Sequence, residues 1–232
     1  MRHFFYRLSG QLSHPRGIAG RIIAFLMNHT NAKMYGMAFD LLDVQPRDRL
    51  LEIGFGNGKY LRRALMLAPG GRVAGIDWSG TMVQSARRRN RPFVDSGRIE
   101  IQKAGVDLIP YPDRLFDKVF TLNTLYFWQA PEKAFHEIHR VLKPGGVLVL
   151  GMNTRKAMEK SHYDRRYFTF YHQEEVERLL NECGFGNVLH VYDKMAVEDA
   201  LCFRARARDS GADRCLASDR PITPPPTGNQ SV

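Results

Sequence analysis

The sequence predicts an α/β fold, a doubly wound and mostly parallel seven-stranded sheet. Two observations lead there. Between residues 46 and about 206, short apolar runs alternate with single helical stretches, the pattern of parallel βαβ units. The first run, Leu50–Ile53, opens directly on Gly54, Gly56 and Gly58, and open α/β sheets bind ligands beyond the carboxyl ends of their strands.

The elements follow in order. Residues 1–44 contain GIAGRIIAFLMNHTNAKMYGMAFDLL, where Ile18, Ile22, Phe25 and Leu26 share a helical face; they are expected to form a helical lid. Residues 45–207 hold the sheet. RLLEIG is a strand, GKYLRRALML a helix ended by APGG, and RVAGID a second strand. The helix SGTMVQSARRRN follows with Ser79 as its N-cap. RIEIQKA alternates strictly as a third strand, and FDKVFTL is a fourth. PEKAFHEIHRVL is a helix with Pro131 in its first turn and Lys143–Pro144–Gly145–Gly146 closing it. VLVLG is a fifth strand, HQEEVERLLNECG a helix that His172 begins, and NVLHVYD and DALCFRARA an antiparallel pair. Residues 208–232, rich in Pro, Ser, Gly and Asp, read as a disordered tail.

Composition narrows the setting. No apolar run approaches the length of a membrane span, and the N-terminus lacks the apolar core of a secretory signal. Cys183, Cys202 and Cys215 have no metal-ligand spacing, so neither zinc nor disulfides are expected and a cytoplasmic location is. The formal charge is +10, and residues 1–39 contain no Asp or Glu. That asymmetry suits an anionic partner or serves solubility alone.

Gly54-x-Gly56-x-Gly58 lets a ligand approach the backbone where the chain turns sharply. A dinucleotide fingerprint would need glycine at Lys59, and no Gly-Lys-Ser/Thr follows as a P-loop would require. Asp77 ends the second strand, where a carboxylate can accept hydrogen bonds from two ribose hydroxyls. The loop therefore suits a nucleoside ligand with no pyrophosphate to cradle.

LLEIGFGNG, VAGIDWSGTMV, YPDRLFDKVF and FHEIHRVLKPGGVLVL resemble, in order, the motifs of class I S-adenosylmethionine-dependent methyltransferases, with the ubiquinone/menaquinone C-methyltransferases the nearest group. The resemblance covers about residues 48–192. It implies a Rossmann-like domain at 45–207 with S-adenosylmethionine as cofactor. Glu52 and the loop Gly54, Phe55, Gly56 and Gly58 would face the methionine moiety, and Asp77 the ribose. Trp78 and Met82 would cover adenine, beside Ser79. Gly105 and Val106 stand where many relatives carry Asp-Ala. The Val106 N–H would meet adenine, and Asp107 is the nearby carboxylate able to replace the missing one. Leu122 and Asn123 would supply groups to the methionine end.

Methyl transfer from a sulfonium is an in-line displacement, in which the protein aligns, excludes water and takes up a proton where the acceptor needs it. Tyr126, Phe127 and Trp128 offer aromatic faces to the sulfonium or a flat acceptor. His162 is the expected acid–base group and Tyr126 the second catalytic candidate; His136 and His139 fall on a helix along the sheet. The expected function is methyl transfer to oxygen or carbon of a small molecule rather than to a nucleic-acid base. Three alternatives stay open: a lipid-directed methyltransferase making peripheral contact with an anionic membrane, a non-catalytic S-adenosylmethionine-binding protein, and an RNA methyltransferase suggested by ARRRNR, Ala86 to Arg91, although cations at a helix end also complement its dipole.

Overall fold

A computed structural model describes residues 32–160, 165–193 and 199–209. Seven strands form one sheet: β1 (Arg49–Ile53), β2 (Arg72–Asp77), β3 (Ile99–Lys103), β4 (Phe116–Leu122), β5 (Leu142–Asn153), β6 (Phe185–Asp193) and β7 (Ala200–Ala207). Their order is β3-β2-β1-β4-β5-β7-β6. The pairs from β3 to β5 are parallel, and β7 runs antiparallel to both β5 and β6. The reversal of strand order beside β1 puts a crevice at the carboxyl ends of β1 and β4, the usual ligand position in such sheets.

Helices cover both faces because successive strand residues point to opposite sides. Leu50, Val73, Phe120 and Val149 face α1 (Ala32–Leu42), α2 (Leu61–Leu67) and α3 (Gly80–Arg89). Leu51, Ile53, Val119 and Leu148 face α5 (Pro131–Val141) and α7 (Gln173–Glu182). Two short helices, α4 (Arg91–Asp95) and α6 (Arg155–Lys160), were not legible as periodic segments, since five or six residues scarcely exceed one turn. Ser79 caps α3 by accepting from the Met82 N–H, and His172 with Glu175 forms a capping box on α7.

Two features differ from the sequence expectation. Lys143–Gly146 does not simply close a helix: β5 begins at Leu142, pairs with Phe116, and passes through these residues before its register with β4 resumes at Val147. The chain segment read as the end of a lid is core, since Met34, Ala38 and Leu42 of α1 are essentially inaccessible. α1 runs so close over β5 that a side chain at Gly151 would meet the Met34 sulfur at 3.1 Å. Residues 1–31, and nearly all of the tail, lie outside the described residues; Arg208 at the tail's start donates to the Phe185 and Asn181 carbonyls.

Candidate active site

Among the described residues, buried polar groups gather where β1, β2 and β4 end. Alternation along β1 sends Leu51 and Ile53 to one face and Glu52 to the other, beneath α1. Glu52 is 2% exposed. Its Oε1 accepts a 2.7 Å hydrogen bond from the Tyr35 hydroxyl, while Oε2 has no partner. Burial, with a smaller contribution from the Asp77 charge, pushes the Glu52 carboxyl up to about 8, against a lowering by the Tyr35 bond. Tyr35 in turn stacks on Tyr60, ring centroids 3.4 Å apart, and burial beside Glu52 raises its hydroxyl pKa well above the usual value.

Asp77 anchors the glycine loop. Its Oδ2 accepts from the Gly56 N–H at 3.0 Å and its Oδ1 from the Ser79 N–H at 2.9 Å. Burial pushes its carboxyl up to about 6 although both backbone bonds oppose the shift. Each oxygen accepts one of these N–H groups and keeps capacity for another donor. The loop itself is left-handed at Gly54, Gly56 and Gly58. A Cβ on Gly54 would lie 2.4 Å from the Thr124 methyl, whereas one on Gly56 would meet nothing within 4 Å. Gly54 is thus closed against the loop after β4, and Gly56 is open to space. Asn90 fixes the far end by donating to the Gly58 carbonyl and to Ala86 of α3.

The remaining expected residues divide. Thr121 hydroxyl donates to the Ile53 carbonyl and is hydrogen-bonded to Thr124, which ties the β4 end to the β1 end. Asn123 follows with φ 57° and its N–H donates to Gly151. Ala104 N–H donates to the Asp77 carbonyl, which brings Gly105 and Val106 alongside β2. The Asp107 carboxylate folds back to within 2.5 Å of where a Gly105 Cβ would stand. Trp78 is 45% exposed at the mouth.

Four expected contacts do not appear as side-chain surface. Met82 is 1% exposed in the core under α3, Leu122 lies against Gly151, and Trp128 packs edge-on against Phe135. Phe55 points beneath the loop onto Gly75, so it presents only backbone. Tyr126 is held by its hydroxyl, which donates to Asn123 at 3.1 Å and is bonded to the Asn153 backbone, so it acts as a brace across the β4 and β5 ends. His162 lies outside the described residues. His139 sits at the opposite edge of the sheet against the Arg208 carbonyl, and His172 is spent on α7.

Tyr35, Tyr60 and Asn90 were missed by sequence reasoning. No spacing links Tyr35 to Glu52, since the pair is made by α1 crossing β1; a lone tyrosine in that helix was the only cue.

The comparisons with known proteins agree with this geometry. A family model described as "Methyltransferase domain" matches residues 51–150. YrhH of Bacillus subtilis (strain 168), which carries a methyltransferase name, is 33% identical over 127 residues, 55% of this chain and 69% of that protein. This chain is a class I S-adenosylmethionine-dependent methyltransferase.

The ubiquinone/menaquinone biosynthesis C-methyltransferase UbiE of Pseudomonas savastanoi pv. phaseolicola is 34% identical over 137 residues. Those residues are 57% of this chain and about half, 53%, of UbiE. Among solved structures the [4+2]-cyclase SpnF superposes with a TM-score of 0.65 at 20% identity, covering 76% of this chain and 81% of that one. At such identity the likeness speaks for the fold alone.

S-adenosylmethionine is the cofactor of the family, and the site fits it. A buried carboxylate with one unpartnered oxygen suits an ammonium group. An open Gly56 and an acid with spare acceptor capacity suit the rest of a nucleoside. Among the described residues no helix is long and apolar enough to cross a membrane.

Proposed function

We propose that this methyltransferase acts on an oxygen or carbon nucleophile of a small molecule bearing a flat ring. The observation that carries the reading is an aromatic wall beyond the β4 end whose partly exposed rings are Phe127 and Phe170, backed by Tyr126 and Phe168 in the core. Phe127 and Phe168 rings lie 4.8 Å apart, Tyr126 stands 6.1 Å from each, and Arg165 covers Phe170 at 4.7 Å. Such walls favour planar acceptors over flexible chains. The kinship with a C-methyltransferase of ubiquinone/menaquinone biosynthesis points the same way.

Within this reading Glu52 holds the methionine ammonium and Asp77 the ribose hydroxyls. The loop backbone at Gly56 lines the nucleoside, with Asp107 over Gly105 near the adenine amino group. When bound, the cofactor supplies an electrophilic methyl on a sulfonium. The chain's own residues orient it, exclude water through the Tyr35–Tyr60 stack, and keep the β4 loop rigid through Tyr126. His162 is the group proposed to accept a proton from an acceptor hydroxyl.

Purified protein with labelled S-adenosylmethionine and a panel of phenols, quinols and enols tests the reading. Label should move to a ring-bearing acceptor, and Phe127→Ala, which removes a partly exposed ring, should raise KM for it with little change in cofactor affinity. Transfer only to phospholipid would favour the lipid-directed alternative. Tight cofactor binding with no transfer to any acceptor would favour the non-catalytic one.

A further inference from the structure

Between Gly54 and Val94 the chain has eight Lys or Arg residues and one acid, Asp77, which is buried at the site. Folding sends most of those cations to one place. On α2, Arg62 and Arg63 stand one turn before Met66 and Leu67, so all four share the outward side of that helix. The Arg62 guanidinium lies 5.7 Å over the Phe93 ring and joins α2 to α4. Where α3 passes into α4, Arg88, Arg89 and Arg91 are exposed. Among the described residues Arg62, Arg63, Arg88 and Arg89 have no acidic partner within ion-pair distance. Arg91 has Asp95 at 3.5 Å, with 80% of its side chain exposed. Met66 and Leu67 stand in this basic surface 69% and 41% exposed. The helices on the other face of the sheet mix signs instead, as in Glu132, Lys133, Glu137 and Arg140 of α5.

We propose that the α2–α3–α4 face docks on an anionic lipid bilayer. The charge supplies the attraction, since each cation near such a surface contributes about 1 kcal/mol, or roughly fivefold in partitioning. Met66 and Leu67 select lipid over nucleic acid. Apolar side chains ringed by arginines match a headgroup boundary, into which the former insert while the latter stay among phosphates. A phosphate backbone would reward only the cations. Asn90, between Arg89 and Arg91, donates to the Gly58 carbonyl, so the docked face adjoins the end of the glycine loop. This interface is separate from the acid-free N-terminal segment and requires no particular acceptor.

The test is partitioning of the full chain onto phosphatidylcholine vesicles with and without phosphatidylglycerol. The protein should bind only the anionic vesicles, and less as salt shortens the screening length. Combined Arg88→Gln, Arg89→Gln and Arg91→Gln should weaken binding on the order of a hundredfold at low salt. Combined Met66→Ser and Leu67→Ser should weaken it while preserving the salt slope, and Arg178→Gln on α7 should leave it unchanged. Hydrogen exchange of the wild type on vesicles, which needs no variant to fold, should protect residues 61–67 and 88–95. Equal binding to both vesicle types, wild-type partitioning of the triple variant, or protection confined to other segments would overturn the proposal. So would RNA oligonucleotides that bind at the same salt more tightly than the anionic vesicles.

Discussion

Cofactor affinity should depend on pH through Glu52, and Glu52→Gln should remove that dependence. The unliganded carboxyl titrates near 8 rather than at its ordinary 4.5 because it is buried, so at pH 7 only about a tenth of the protein carries the charge. Holding an ammonium requires the anion. Binding should therefore release a proton, and wild-type affinity should rise about tenfold per pH unit from 6 until it levels near 8. The ligand's own ionisation enters both proteins equally and cancels in the ratio of Kd for Glu52→Gln to Kd for wild type. At pH 8.5 that ratio should reach roughly 10- to 150-fold, the worth of about 1.5–3 kcal/mol for a hydrogen bond to a charged group. At pH 6 it should shrink towards unity. Stability moves oppositely. A carboxyl whose folded pKa is raised costs stability as pH rises from 4.5 to 8, about 3 kcal/mol by pH 7. Asp77, raised to about 6, adds a smaller loss beginning from its ordinary 3.8. The glutamine can keep the Tyr35 bond and, like the carboxyl, leaves its second polar atom unpaired, but it does not titrate. Its melting temperature relative to wild type should therefore climb with pH. Calorimetric titration with S-adenosylhomocysteine and thermal unfolding, each from pH 5 to 9, measure both. A binding ratio that stays flat across this range would refute the assignment of Glu52 to a cationic group.

Other outcomes follow from the same geometry. Asp77→Ala should weaken S-adenosylhomocysteine binding roughly 30- to 150-fold by calorimetry; it should also destabilise the unliganded protein by about 1–3 kcal/mol, because the Gly56 and Ser79 N–H groups lose their acceptor. Gly54→Ala should lower the melting temperature more than Gly56→Ala does, since only the former drives a methyl into Thr124. Tyr35→Phe should raise the Glu52 pKa further by deleting the bond that lowers it, which shifts the plateau of cofactor affinity to higher pH. His162→Gln should reduce kcat and abolish the acid limb of its pH profile while cofactor Kd stays unchanged; an unaltered profile would remove it as the base.

The sequence by itself determined what is local. Period-two runs and caps such as Ser79 and His172 marked the strands and helices, because a short strand and a capped helix end are specified within a few residues. The glycine spacing and the strand-end Asp77 marked the ligand loop, because close backbone approach admits little else there. The tertiary structure decided what depends on residues far apart in the chain. Whether Met82 faces adenine or the core is set by which side of α3 meets β2. Whether Tyr126 is a reactive hydroxyl or a brace is set by where β5 ends. The partner of Glu52 comes from a helix 17 residues upstream, and the raised carboxyl pKa exists only once α1 has closed over β1 and water has been removed from around it.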